Sequence, residues 1–274
     1  MNEHFSLRRF GLLLRKYSKE HFRSYLLYTA SLLGILLLIG TIVVLNQLHA
    51  MYQPFVTETV FISGLIFCSS IFSASFYSFF QNKAKAIRFI NIPASVTEKI
   101  GVSFLFTQLV CFATYLLLFL LTDRLICGGY NRFHKIPDHT PIEDLQYFVA
   151  HPLNLLDNFN MGAILFALML SSIMHFGSLC FEKNAFVKTA PFFLVIGAIV
   201  FNYNFYSMRA MIPGENMPGG KLFNEGVRLG STDNIKGFIS LPENWYYAIY
   251  WLLPGSVYLL FWAASFYKLK EKQV

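Results

Sequence analysis

The chain alternates between long apolar stretches and shorter stretches where the charges crowd. Six blocks read as continuous apolar runs: Tyr25–Leu45, Thr59–Gln81, Gly101–Thr122, Met161–Phe181, Phe186–Asn204 and Trp245–Tyr267. Lys188, the third residue of the fifth and shortest block, is the one Lys, Arg, Asp or Glu inside them. A helix that crosses a bilayer needs roughly 20 consecutive, mostly apolar residues. A buried helix of a soluble domain has a shorter apolar run and keeps a polar stripe. Runs such as SLLGILLLIGTIVVL do not alternate, which excludes the strands of a membrane barrel. The pattern predicts an all-α, polytopic membrane protein of six spans, forming a single membrane domain over 1–274, with outer segments at 123–160 and 205–244.

Composition agrees. Of 274 residues, 55% are hydrophobic, 18% aromatic and only 14% charged, against about a quarter charged in a soluble domain. The net charge of +7 is unevenly placed. With a cytoplasmic N-terminus, fifteen of the twenty-two Lys and Arg fall on the inner side, from Arg8 through Lys272, although the outer segments are longer. Positive charge is retained on the cytoplasmic side. The basic balance therefore reports topology and attraction to anionic lipid. It does not report nucleic acid, because no soluble module interleaves cations with base-stacking aromatics. Both termini are expected in the cytoplasm of an inner-membrane, multi-pass protein. The basic stretch ahead of the first block exceeds a signal-peptide n-region, so the first span is expected to stay as an anchor. Cys68, Cys111 and Cys180 lie in or beside spans and Cys127 is alone outside, so no disulfide or C-x-x-C metal site is expected.

Residues 3–23 carry a second pattern. Leu7, Phe10, Leu13, Leu14 and Tyr17 share one arc of a helical wheel, and Arg8, Arg9, Arg15 and Lys16 share the other. A basic amphipathic helix of this kind is predicted to lie in the membrane interface.

The inner insert between the second and third blocks, NKAKAIRFINIPASVTEKI at 82–100, is too long for a turn. A short helix over Asn82–Asn91 is expected, ending before Pro93, with Ser95 or Thr97 capping the next helix. That helix would show Phe89, Ile90 and Ile92 near the membrane surface beside Lys83, Lys85 and Arg88. Composition alone also fits a solvated inner loop.

The layout as a whole resembles the permease subunit of type-2 ABC exporters: a basic N-terminal helix, six spans, a cytoplasmic second loop and a long outer segment before the last span. At residue level the likeness rests on Ile92-Pro93-Ala94-Ser95 followed by Glu98-Lys99. The resemblance implies that Lys83, Lys85, Arg88, Phe89, Ile90, Ile92 and Pro93 form a coupling element. That element would dock on a separate ABC-type ATPase subunit, and a second permease copy, identical or not, would complete the path. Where the family often has an acidic, Gly-Thr-containing run, this chain has Lys83-Ala84-Lys85-Ala86-Ile87-Arg88. The related exporters also place short surface helices before the last span, here at Phe223–Leu229 and Ile235–Leu241.

The chain carries no nucleotide motif of its own. Gly219-Gly220-Lys221 is followed by Leu222 and lacks the phosphate-cradling spacing. ATP is thus expected on the partner subunit, with no cofactor on this chain. His134, His139 and His151 have spacings that fit no zinc motif, and no catalytic pair is evident. His175 in the fourth block and Gln108 in the third are intramembrane polar residues, read as functional candidates or as helix-to-helix hydrogen bonds. Ser63, Ser70, Ala74 and Ser78 form a small-residue face on the second block. Two other functions stay open: a non-transporting scaffold or sensor subunit, and a membrane-embedded enzyme.

Overall fold

Residues 12–33 contain no glycine or proline, so nothing breaks a helix begun at the N-terminus. In the computed structural model a single helix, α1, runs from Leu7 to Gln47, 41 residues without interruption. The structure describes residues 5–47, 54–133, 149–181, 184–211, 226–231, 234–240 and 243–272. At about 1.5 Å per residue α1 is roughly 60 Å long, twice the hydrocarbon thickness of a bilayer. The predicted interface helix is therefore the first part of α1. It stands alongside its neighbours instead of lying flat as a separate element.

α2 spans Pro54–Ser75, shorter than the expected second block, and a 3-10 turn at Ser78–Gln81 follows. The insert forms α3, Lys83–Ile90. α4 (Val96–Phe104), a π turn (Leu105–Val110) and α5 (Cys111–Phe133) then make one long rod. α6 covers Asn158–Cys180, α7 Ala185–Met211 and α8 Glu243–Glu271. Among the described residues, four helical stretches are long and apolar enough to cross a membrane: Leu7–Leu45, Phe55–Ser75, Val96–Arg132 and Asn160–Cys180. These make the chain a membrane-embedded helical protein. α7 and α8 are 27 and 29 residues long and carry Pro191 and Pro254 inside them.

Side-chain contacts fix how the rods run. Phe10 lies against Gly101, and Tyr25 stacks on Phe106 with centroids 5.4 Å apart. Gly40 meets Ile126, so α1 and the α4–α5 rod are parallel. Tyr115 donates to the Phe61 carbonyl (2.9 Å), whereas Phe76 shares a core with Phe106, so α2 runs the other way. Ser73 meets Ser171 and Tyr77 meets His175, which sets α6 parallel to α2. Phe176 meets Phe261, and Leu179 shares a cluster with Leu269, so α8 follows α6. Gly177 abuts Thr189, and Phe193 packs beside Met169 and Leu170, so α7 is antiparallel to α6. The rods thus alternate in direction along the chain.

Two of the segments expected on the outer side depart from the prediction. α5 continues through Phe133, past Gly128 and Gly129, because its end is gripped from outside. The Asn131 amide exchanges hydrogen bonds with the Ala150 backbone (2.8 and 2.9 Å), and the buried Asp123 carboxylate accepts from Leu153 N (2.8 Å). Where surface helices were predicted at 223–229 and 235–241, the described residues form an antiparallel hairpin, β1 (Gly226–Ser231) with β2 (Asn234–Ser240). Gly230 and Gly237 weaken a helix there, while Val227, Ile235 and Ile239 favour strand.

Candidate functional site

α3 is a short helix fixed at both ends. Asn82 sits in extended conformation and its side chain accepts from Ala84 N (3.0 Å), an N-cap that lets an eight-residue helix start cleanly. At the other end Asn91 N donates to the Ile87 carbonyl (3.0 Å), and Lys99 Nζ donates to the Ile90 carbonyl (3.0 Å). The Lys99 ammonium also lies 5.3 Å from the centre of the Phe89 ring. A cation at a helix C-terminus complements its dipole, and this one is only 1% exposed.

The next residue back, Glu98, holds a different partner. Ser95 and Glu98 form a capping box at the start of α4: Glu98 N donates to Ser95 Oγ (3.2 Å) and Ser95 N donates to Glu98 Oε2 (3.0 Å). The other carboxylate oxygen, Oε1, accepts from Ser6 N (2.8 Å) and from Arg9 Nε (3.2 Å), with Arg9 Nη2 at 3.1 Å. Glu98 is fully buried and Arg9 is a third exposed. Two adjacent residues thus clamp α3 on one side and the N-terminus of α1 on the other. An outer ion pair, Arg88 to Glu20 at 3.5 Å, joins α3 to α1 between exposed side chains; pairs of that kind contribute little.

The predicted coupling residues divide into two groups. Lys83, Lys85, Arg88 and Pro93 are exposed. Phe89, Ile90 and Ile92 are half-buried and pack on a core made by Leu13, Phe76, Tyr77, Phe80 and Val102. They hold α3 to the bundle, which corrects the expectation that they face the membrane surface. The apolar residue α3 does present is Ile87, 59% exposed and one turn from Lys83. Position i+4 from Lys83 was the available signal for it, and the S-x-x-E spacing of Ser95–Glu98 was the signal for the clamp.

The apolar arc of residues 3–23 likewise faces protein. Leu13 is buried, and Phe10, Leu14 and Tyr17 pack against the same core, while Leu7 is exposed. Of the basic arc, Arg8 and Arg15 are exposed, Lys16 is half-buried and Arg9 binds Glu98. The arc is as the wheel places it; its partner is the α3–α4 surface. Lys272, beyond α8, lies over Phe80 at 4.6 Å. The start of α1, α3, the start of α4 and the end of α8 therefore share one end of the molecule.

Deeper in the bundle the polar residues join helices. Gln108 lies in the π turn and its amide donates to Ser171 Oγ, which is 3.2 Å from Ser73 Oγ, so one buried seam ties α6 to the π turn and α2. His175 is fully buried among Phe76, Tyr77 and Trp262. Its Nδ1 lies 3.4 Å from Ser265 Oγ. The Ser265 hydroxyl already donates to the Phe261 carbonyl, so the ring nitrogen is the donor. Ser265 on α8 is thus the neighbouring-helix partner the sequence could not name. On α2, Ser70 and Ala74 are buried but Ser63 is exposed, and Ser78, in the 3-10 turn beyond α2, is exposed too; Ser69 and Ser73 complete the packed face.

Among the described residues no group of three or more His, Cys, Asp or Glu is placed to hold a metal ion. His151 is exposed, and His134 and His139 lie outside the described residues. No protein-family model, curated protein or solved structure matches the chain. Geometry and composition define its class: a membrane-embedded helical protein whose bundle carries a capped, basic helix clamped at one end.

Proposed function

We propose that this chain is the membrane permease of an ATP-driven exporter. It crosses the cytoplasmic membrane six times with both termini inside. It pairs with a second permease copy around the translocation path, and a separate ABC-type ATPase binds α3. The observation that carries this reading is α3 itself. A loop that merely obeyed a charge rule would need no cap at either end and no buried Lys99 and Glu98 behind it. A rigid, exposed helix with Lys83, Lys85, Ile87 and Arg88 outward suits a docking element, and its charge suits an acidic groove. The alternating rods and the two additional long helices, α7 and α8, support six crossings. The sequence holds no phosphate-binding motif, and in this reading ATP sits on the partner.

The test is recovery of the partner. The tagged chain, crosslinked through Ile87→Cys in native membranes, should capture an ATPase with its own phosphate-binding loop. Reversal of Lys83, Lys85 and Arg88 to Glu should abolish that association and leave protein level unchanged. Capture of no ATPase, together with intact ATP-dependent activity in the reversed variant, would sink the reading.

A further inference from the structure

Between α1, the end of α2, the 3-10 turn and α3 lies an open cavity of about 550 Å³. Its lining has two characters. Tyr25, Tyr28 and Phe72 belong to the charge-free runs of the first and second blocks, while Lys16, Lys85 and Arg88 belong to the basic stretches that precede and follow them. One cavity therefore straddles the level at which α1 and α2 leave the apolar layer. The aromatic wall is preorganised: Tyr17 stacks on Phe76 (5.0 Å) and Tyr25 tilts against Phe72 (5.5 Å). His21, Ser24, Ser75 and Ser78 add polar groups at the rim, and Glu20 is the lone carboxylate there. Glu20 pairs with Arg88 through the long exposed contact at 3.5 Å, so the cations outnumber it and the pair opens at small cost.

We infer that this cavity seats an anionic amphiphile from the inner leaflet, its phosphate between Lys16, Lys85 and Arg88 and its acyl chain against Tyr25 and Phe72. Three cations on two helices line the mouth, and a phosphate offers several acceptor oxygens to them at once. A free anion would fill the basic mouth and leave the aromatic wall uncovered; an amphiphile covers both. The cavity is smaller than a whole phospholipid, so the headgroup and the first part of a chain enter and the remainder stays in the bilayer. The inference goes beyond the ATPase-docking reading; it shares Lys85 and Arg88 with that reading but needs no ATPase. Lys83 and Ile87, on the exposed face of α3, do not line the cavity.

The experiment uses the purified full chain without any ATPase. In nanodiscs of mixed phosphatidylglycerol and phosphatidylcholine, gentle ejection into a mass spectrometer should show phosphatidylglycerol retained in preference. The double variant Lys16→Gln/Lys85→Gln should lose that preference by about tenfold, and Lys16→Arg/Lys85→Arg should restore it. A control pair outside the cavity, Lys19→Gln/Lys83→Gln, should retain it, with thermal stability unchanged in every variant. Millimolar inorganic phosphate should not displace the lipid. Equal retention of the two lipids, retention unchanged in Lys16→Gln/Lys85→Gln, or displacement by inorganic phosphate would each overturn the inference. Failure of ATPase capture with lipid preference intact would count against the exporter reading alone.

Discussion

Glu98 is the residue whose loss should be felt most at the α3 end of the bundle. Replacing it with alanine removes a carboxylate that accepts from Ser6 N, Ser95 N and Arg9 at 2.8 to 3.2 Å. Ser95 is buried, so its N–H loses the reach-back of the capping box with little water to replace it, at about 1 kcal/mol. Ser6 and Arg9 are partly exposed and rehydrate, so their hydrogen bonds together account for about 1–2 kcal/mol. The expected loss is about 2–3 kcal/mol, or roughly 4–6 °C in the melting midpoint of a chain this size. Scanning fluorimetry in nanodiscs measures it, and limited trypsin digestion at Arg8, Arg9 and Arg15 reports release of the N-terminus of α1. Glu98→Gln keeps the Oε1 acceptor but sets an amide against Ser95 N, so it should cost about half as much. Arg9→Ala and Glu98→Ala together should cost less than the sum of their separate losses, since the two share one interaction. A midpoint for Glu98→Ala within about 1 °C of the parent, or full additivity with Arg9→Ala, would show that the clamp does not hold α1.

Three other perturbations test separate joints. Lys99→Met keeps the stem but removes the ammonium from the Ile90 carbonyl; hydrogen exchange over residues 83–92 should quicken severalfold while the melting midpoint barely moves, because an apolar replacement of a buried charge is often neutral. Gln108→Leu should cost less than about 1 kcal/mol, in line with intramembrane hydrogen bonds generally, so a large loss of midpoint would refute its reading as one bond among helices. Gly177→Ala should cost about 1–3 kcal/mol by overpacking, since a new Cβ would run into Thr189 Oγ1 and come within 2.7 Å of its Cγ2, and Thr189→Ala, which removes both atoms, should restore much of it.

What was legible in the sequence was local. The apolar blocks, the short helix after Asn82 and the cap at Ser95 follow from patterns spanning a few residues, and each is set by backbone hydrogen bonding near at hand. What was not legible depended on partners far along the chain. An apolar arc at Leu7–Tyr17 fits a bilayer surface or a protein groove equally well, and only the presence of Phe106, Phe76 and Leu269 decides for the groove. The inward turn of Phe89, Ile90 and Ile92 has the same cause. Glu98-Lys99 reads as a solvated charged pair, because a buried carboxylate requires Ser6 and Arg9, some ninety residues away, to be named as its donors. The π turn at Leu105–Val110 has no breaker in it; its local sequence looks like ordinary helix.

The clamp and the π turn together decide where motion at α3 would go. α3 is bound to α4 through Lys99 and to the core through Phe89, while α4 is bound to α1 through Glu98. A force on α3, such as a docked partner would apply, therefore reaches the first turn of α4 before anything else. Packed cores shift between discrete arrangements and do not deform smoothly, so the force is relieved at the least regular point available. Six residues beyond Lys99 begins the π turn, where the backbone holds an extra residue per turn, an arrangement that favours local rearrangement. Returning that turn to α-helical winding would rotate one side of the rod against the other by about 100°. Gln108 would then leave Ser171 and open the seam between α2 and α6. In that view Gln108 is a poor contributor to stability and a sensitive contributor to motion. Its leucine variant should melt like the parent while altering whatever response α3 transmits.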